Sequence, residues 1–479
     1  MVLEFVVHGA IISHQEIYDL PQYQYTHPHD QVCAAYLFEI DTTTFPLDTT
    51  IYCTPTLHYT SSDTKGQQTK QCSVDNLQKS KSAPLSFYHS STGYLHQETT
   101  AYIDMHAHSL HTRDHVEFGA PLKAISVTTK ALGLTATAVI DHSYDLSCNS
   151  TAYLQREDSN PTNYYNQQHS SLTYKHSLFV GEELSTRFSY KKSDGAIHLG
   201  VVGNKTFLAG TADGARRGYQ PQKEPLLAEA ITTLHNEGGI CYAAHPGEVP
   251  PLIHRLLLRR GSWKQHYFTL PIDAFQGVNS GFNASWIRAK KLWIQLLLRG
   301  KRIPLLGGND AHVDFNRYRA LAIPFLSLKE DIDRYLGATV TGFYNWDFSG
   351  GKEQLIKAIK EKRTFVTTGP FLDIQHHHQS RIGEEVTTSL PLTLVAKSTE
   401  EFGYFTSISL YVGKKENEQK WSIPLPRHLQ ISSYTQSIIE IVDIASIPHA
   451  SYLRVEATTS GGYTKKEGFV VTSPLYFTS

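Results

Sequence analysis

From residue 99 onward, short apolar runs alternate with stretches whose apolar residues recur every three or four positions. Seven runs have strand length: 101–106, 135–141, 178–183, 196–202, 240–245, 273–279 and 303–310. Each is bounded by polar residues, the pattern of a buried strand. The stretches 121–132, 225–237, 286–299 and 351–362 carry helical spacing, and Gly133, Gly238-Gly239 and Gly300 stand where helix ends favour glycine. Strands alternating with helices predict an α/β architecture. If the seven strands close into one barrel, the residues at their carboxyl ends meet at a single mouth.

The two flanks read differently. Residues 1–98 hold short alternating runs at 34–40 and 50–53, separated by Thr, Pro, Asp and Ser clusters, with a polar stretch at 60–84 expected as a loop. Residues 371–479 return to period-two alternation at 390–396, 407–412 and 452–457. The expected organisation is an N-terminal β-rich domain (1–98), a barrel (99–370) and a C-terminal β-sandwich domain (371–479).

Composition narrows the function classes. A chain of 479 residues with a formal net charge of −1 has no bulk field to hold nucleic acid or a membrane surface. No apolar run approaches the length that spans a bilayer. Five scattered cysteines suit reduced thiols better than a disulfide framework. The first residues lack the basic and apolar regions of a secretory signal, so a cytoplasmic location is the expectation, although a processed form would show the same start.

The candidate chemistry lies at the strand ends. Asp104-x-His106-x-His108 closes the first run, and in a period-two strand both imidazoles point the same way. Asp141-His142, Glu182-Glu183, His245 and Asp310-Ala311-His312 close later runs, while His198 lies inside the fourth. Any one of the 25 histidines is more readily a satisfied core group than a ligand, and His27-Pro28-His29 and His376-His377-His378 read as loop residues. The set is different, because packing alone would not concentrate polar residues at successive strand ends. Adjacent Glu182 and Glu183 face opposite sides of a strand, so only one enters a shared site. Asp141 is better placed to orient a ligand than to be one. The long polar segment 143–176 is expected to shape the mouth. The basic stretch 253–260 is expected as a solvated helix face on the rim.

Taken in order, Asp104-x-His106-x-His108, Asp141-His142, Gly181-x-Glu183, His198, Ala244-His245-Pro246 and Asp310-Ala311-His312 resemble the motifs of the PHP family, the polymerase and histidinol phosphatase superfamily of metallohydrolases. The segment 363–370, Arg-Thr-Phe-Val-Thr-Thr-Gly-Pro, is similar to the carbaryl hydrolase-like subgroup. The resemblance implies a distorted (β/α)7 barrel, TIM-like in outline, holding two or three divalent ions of Zn, Mn or Fe. His106, His108, Glu183 and Asp310 would bind one ion, Asp114, His142 and His312 a second, and bridging Glu183 with His198 and His245 a third. His115 stands next to Asp114 as the alternative. Asp310 and Glu183 would be catalytic, and Arg113, Arg187, Arg216 and Arg217 are candidate anion holders.

Three functions stay open on this basis. The leading one is a metal-dependent hydrolase, in first place a phosphoesterase on a small molecule, using a metal-bridging hydroxide. The second keeps the metals and cleaves a carbamate, ester or amide. The third is a non-catalytic metal-containing binding protein.

Overall fold

A computed structural model describes residues 2–7, 10–16, 22–26, 32–36, 41–63, 66–73, 76–78, 81–83, 85–112, 119–146, 162–191, 194–210, 225–250, 252–257, 259–312, 320–323, 326–329, 335–387, 390–414, 416–423, 438–442, 450–463 and 467–478. His27, His29, Arg113, Asp114, His115, Arg216 and Arg217 lie outside them.

The seven apolar runs all form strands: β1 (Ala101–Ala107), β2 (Ala136–His142), β3 (Leu178–Thr186), β4 (Ile197–Val202), β5 (Ile240–Ala243), β6 (Ala274–Asn279) and β7 (Leu305–Gly308). The helical spacings become α1 (Leu122–Ala131), α2 (Leu227–Asn236), α3 (Ala284–Leu298) and α4 (Gly351–Lys360). Each buries its apolar stripe, as with Leu227, Ile231 and Leu234 of α2 and Trp286, Trp293 and Leu297 of α3. The segment 143–176 is not loop throughout, since helices occupy Ser143–Leu146 and Thr162–Ser171.

The sheet corrects the expected fold. It is not a (β/α)7 or TIM-like barrel but a curled mixed sheet. β1, β2 and β3 run parallel, as do β5, β6 and β7, whereas β4 is antiparallel to both neighbours. The cause is local. Residues 187–196 are the whole link between β3 and β4, and so short a connection, with no helix among its described residues, cannot carry the chain back for a parallel pairing.

On the other side of β1 the sheet continues. β8 (Val340–Phe343) pairs antiparallel with β1, followed by β9 (Thr364–Thr367), β15 (Gly468–Thr472), β14 (Ala450–Ser460), β12 (Tyr404–Lys414) and β13 (Asn417–Ser422). Thirteen strands thus form one unbroken path from β7 to β13. The expected C-terminal sandwich therefore has no main sheet of its own. A smaller sheet carrying β10 (Phe371–His376) and β11 (Leu392–Lys397) packs Leu372, Ile374 and Leu394 against Ile408, Leu453 and Val455 of the long one. The path curls enough for its β7 end to meet β1, where Ala107 bridges Ala311 and the His108 amide donates to the Ala311 carbonyl at 2.8 Å. Near the N-terminus, Val2–Val7, Ala10–Glu16, Thr49–Asp63, Gly66–Ser73 and Leu85–His89 form a separate five-stranded sheet.

A buried ion network ties α3 to the C-terminal strands. Arg454, fully buried, donates from Nε to Glu418 Oε1 at 2.7 Å and from Nη2 to Glu418 Oε2 at 2.6 Å, and also pairs with Glu456. Glu456 receives Lys290 from α3 at 2.6 Å. The guanidinium also lies 4.3 Å from the Tyr411 ring centroid and 5.4 Å from that of Trp293. Removing one partner of such a buried set leaves the others charged and unpaired. Arg454→Ala is expected to lower unfolding free energy by about 3–5 kcal/mol, read as the shift in urea midpoint against the wild-type chain.

Candidate metal centre

The curl of the sheet decides which residues meet. β1, β2, β3 and β7 present their carboxyl ends to one mouth, and the reversed β4 presents its start there. This is why His198, second residue of β4, faces Glu183 near the end of β3. His245 and Asp310 lie just beyond β5 and β7 with φ of 31° and 54°, left-handed conformations uncommon outside glycine. Non-glycine residues held there mark a constrained site.

Glu183 is the hub. Its Oε1 lies 2.6 Å from His198 Nδ1 and 2.8 Å from His245 Nε2, and its Oε2 lies 3.1 Å from His142 Nε2. His106 Nε2 is 3.6 Å from Oε1 and His108 Nε2 is 3.7 Å from Oε2. Asp310 Oδ1 lies 3.0 Å from His108 Nε2 and 3.5 Å from His106 Nε2. His312 stacks on His108 with ring centroids 4.2 Å apart. All these side chains are buried except that of His245, which is nearly so.

At this centre three groups of described residues have donor atoms mutually within 4.8 Å: His106, His108, Glu183 and Asp310; Glu183, His198 and His245; and His108, His142 and His312; a fourth, His235, Cys241 and Asp273, lies elsewhere. The first two are the sets the sequence suggested. In the third, His108 stands with His142 and His312, while Asp114 lies outside the described residues. Buried groups of this kind could hold a metal ion. Glu182 points away, accepting from Asn204 Nδ2 at 2.6 Å and the Leu208 amide at 3.0 Å. Burial raises its pKa well above the usual carboxylate range.

Charge follows the same division. Burial works to raise the Glu183 pKa, but the adjacent His198 and His106 rings hold it well below the ordinary value. Burial likewise works against protonated His106, yet Glu183 and Asp310 push its pKa up to about 9. Burial and neighbouring His142 lower that of His108.

The ring nitrogens that face away from the centre explain how the site accepts a cation. Thr112 Oγ1 donates to Asp141 Oδ1 at 2.8 Å, so it accepts from His108 Nδ1 at 3.1 Å. Asp141 also accepts from the Ser109 amide and hydroxyl and from Gln167, each at 2.6 Å. A longer chain starts at the Glu248 carboxylate, which accepts from Asn279 Nδ2 at 2.7 Å. This leaves Asn279 Oδ1 to accept from Gln276 Nε2 at 3.2 Å, and Gln276 Oε1 to accept from His106 Nδ1 at 2.9 Å. Glu248 Oε2 also lies 3.4 Å from His245 Nδ1.

His106 and His108 are therefore both fixed with Nδ1 protonated, and their Nε2 atoms stand 3.1 Å apart. Two neutral imidazoles at that distance would oppose their lone pairs, and either a proton on His106, whose pKa the neighbouring carboxylates raise, or a bound cation relieves this. Neutral imidazoles with buried carboxylates are a donor set suited to Zn, Mn or Fe, and oriented outer partners are what such ligands require. The residues present fit the group.

Of the other candidates, Arg187 is buried at the end of β3, its backbone amide donating to the Pro225 carbonyl at 3.2 Å. The structure adds two residues that sequence reasoning missed. Gln276 had a signal, a buried amide in an apolar strand. Arg260, whose Nη2 lies 2.9 Å from both ring nitrogens of His198, had none, because the basic stretch around it reads as a solvated helix.

No protein-family model matches the chain, and no curated protein matches it. The site's own geometry therefore carries the functional argument. If Gln276 orients a ligand, Gln276→Leu should weaken metal binding about 10- to 100-fold, measured by competition with a chromogenic chelator.

Proposed function

We propose that this chain is a metal-dependent hydrolase, PHP-like in its ligand motifs, that cleaves a small-molecule ester, in first place a phosphoester. The observation that supports it is the convergence of six imidazoles and two carboxylates, five of the imidazoles around Glu183, with Nδ1 of His106 and of His108 held protonated from outside.

His106, His108, Glu183 and Asp310 would hold one ion, Glu183, His198 and His245 another, and His142 and His312 would complete a third position. Divalent ions so held supply Lewis-acid polarisation of the substrate and acidify coordinated water near neutral pH. The protein supplies the rest. Glu183, kept ionised, ties two of the ligand groups together. Asp310 is the ligand-group carboxylate with residual exposure, about 9% of its side chain, and can take or return a proton at Oδ1 beside a bound substrate. The outer chains through Thr112–Asp141 and Gln276–Asn279–Glu248 keep the rings from turning during this exchange.

The test combines metal analysis with turnover. Protein stripped by a chelator should lose hydrolysis of chromogenic phosphate esters and regain it with Mn or Zn, with at least one tightly bound ion counted per chain. Glu183→Gln should stay folded while losing activity by more than the roughly 100-fold that loss of an outer partner costs. Turnover of matched carboxyl or carbamate esters alone would transfer the site to carbonyl chemistry. A chain that binds no ion would end the hydrolase reading.

A further inference from the structure

At the opposite end of β5 from His245, three side chains of different donor chemistry converge: His235, Cys241 and Asp273 have donor atoms mutually within 4.8 Å. His235 stands in the last turn of α2, Cys241 is the second residue of β5, and Asp273 directly precedes β6. The turn from α2 into β5 fixes the spacing of the first two. There the Gly238 amide donates to the His235 carbonyl and the Gly239 amide to the Leu234 carbonyl, each at 3.1 Å, with Gly238 at φ 85°. Asp273 is fastened to Cys241 twice. Its amide donates to the Cys241 carbonyl at 3.0 Å, and its Oδ2 accepts from the Cys241 amide at 2.9 Å. The same Oδ2 lies 2.8 Å from His235 Nε2. The backbone thus holds the three donors together before any ligand arrives.

An imidazole, a thiolate and a carboxylate are the three side-chain donors that zinc takes, and the last two bring two negative charges to a divalent ion. Cys241 is fully buried, which denies its sulfur an external electrophile. Coordination is the chemistry left to it. The side chains of His235 and Asp273 are 29% and 15% exposed, so an ion can enter from solvent. Lys301 and Lys362 act on Asp273 from farther off, and Lys301 Nζ donates to the Leu270 carbonyl at 3.0 Å. Their charge opposes a cation but favours the ionised donors that a metal requires. Two anionic donors in direct contact outweigh them, since Coulomb attraction falls with distance.

We propose that His235, Cys241 and Asp273 form a zinc site of their own, with water in the fourth position, that ties the end of α2 to the start of β5 and to the residue before β6. The site shares no residue with the Glu183 centre and does not rest on the hydrolase reading.

The test is an optical titration of the full chain with Co(II), under nitrogen and with a phosphine as reductant so that no added thiol competes. A cobalt–thiolate bond gives a near-ultraviolet charge-transfer band. The Glu183 centre has no sulfur donor among the described residues and gives no such band. The wild-type chain should show it, and added zinc should abolish it. Cys241→Ser should abolish it, whereas Cys53→Ser, which removes another buried thiol, should leave it. His235→Ala and Asp273→Asn should weaken cobalt, read at the band, by more than the roughly 10- to 100-fold that loss of an outer partner costs. Glu183→Gln should leave the band as in the wild type. His235 is partly exposed, so its variant keeps the proposal testable if Cys241→Ser fails to fold.

A wild-type chain with no thiolate band overturns the assignment. So does a band that survives Cys241→Ser, or one unmoved by both His235→Ala and Asp273→Asn. A band lost in Glu183→Gln would move the sulfur to the other centre and overturn it too. A chain that loads no ion at the Glu183 centre yet shows the Cys241-dependent band ends the hydrolase reading and supports this one.

Discussion

The structure is organised around a buried carboxylate that would be intolerable alone. A charge taken out of water costs several kcal/mol unless it is paired and hydrogen-bonded. Glu183 meets that demand by drawing His142 from β2, His198 from β4, His245 from beyond β5 and His106 from β1. Each strand that contributes must bring its end to the same point. The curl of the sheet and the reversal of β4 are the backbone's answer to that requirement.

The outer layer answers a second requirement. Imidazoles have two nitrogens, and the one that faces the centre is decided by what the other touches. Asp141 and Glu248 are the fixed points here, because an ionised carboxylate only accepts. From Glu248 the direction of every hydrogen bond follows without choice through two amides to His106. A small set of buried side chains thus sets protonation at the middle of the site without entering it.

Much of this was legible in the sequence. Strand and helix positions followed from apolar period, since burial of one stripe leaves the same trace whatever the tertiary arrangement. Strand alternation allowed only one of Glu182 and Glu183 into the site, the Gly181-x-Glu183 resemblance pointed to Glu183, and Asp141 as a supporting group followed from what a ligand histidine needs. Strand direction was not legible. A period-two pattern reads the same from either end, and the clue lay in the shortness of the link at 187–196, which leaves no room for a parallel return. The continuation of the sheet through β8 and β9 was hidden as well, because pairing partners far apart in sequence leave no local pattern. Arg260 escaped because its place beside His198 depends on Gly195 and Gly261, far apart in the chain, meeting closely, and on nothing in its own neighbourhood.

The unbroken path of strands has a bearing on how the protein can be cut. Residue 370 looks like a seam, where alternating strand and helix give way to β-structure. In the folded chain, however, β9 ends just before that point and pairs with β15, from more than a hundred residues later. A fragment stopped at the seam would keep every described residue of the candidate metal centre yet carry β9 as a bare edge, with unpaired amides and carbonyls beside Phe365 and Val366. Such an edge recruits other strands. The half of the molecule that carries the histidine and carboxylate cluster is thus not a portable module, because one edge of its sheet is covered by strands that contribute no side chain to that cluster.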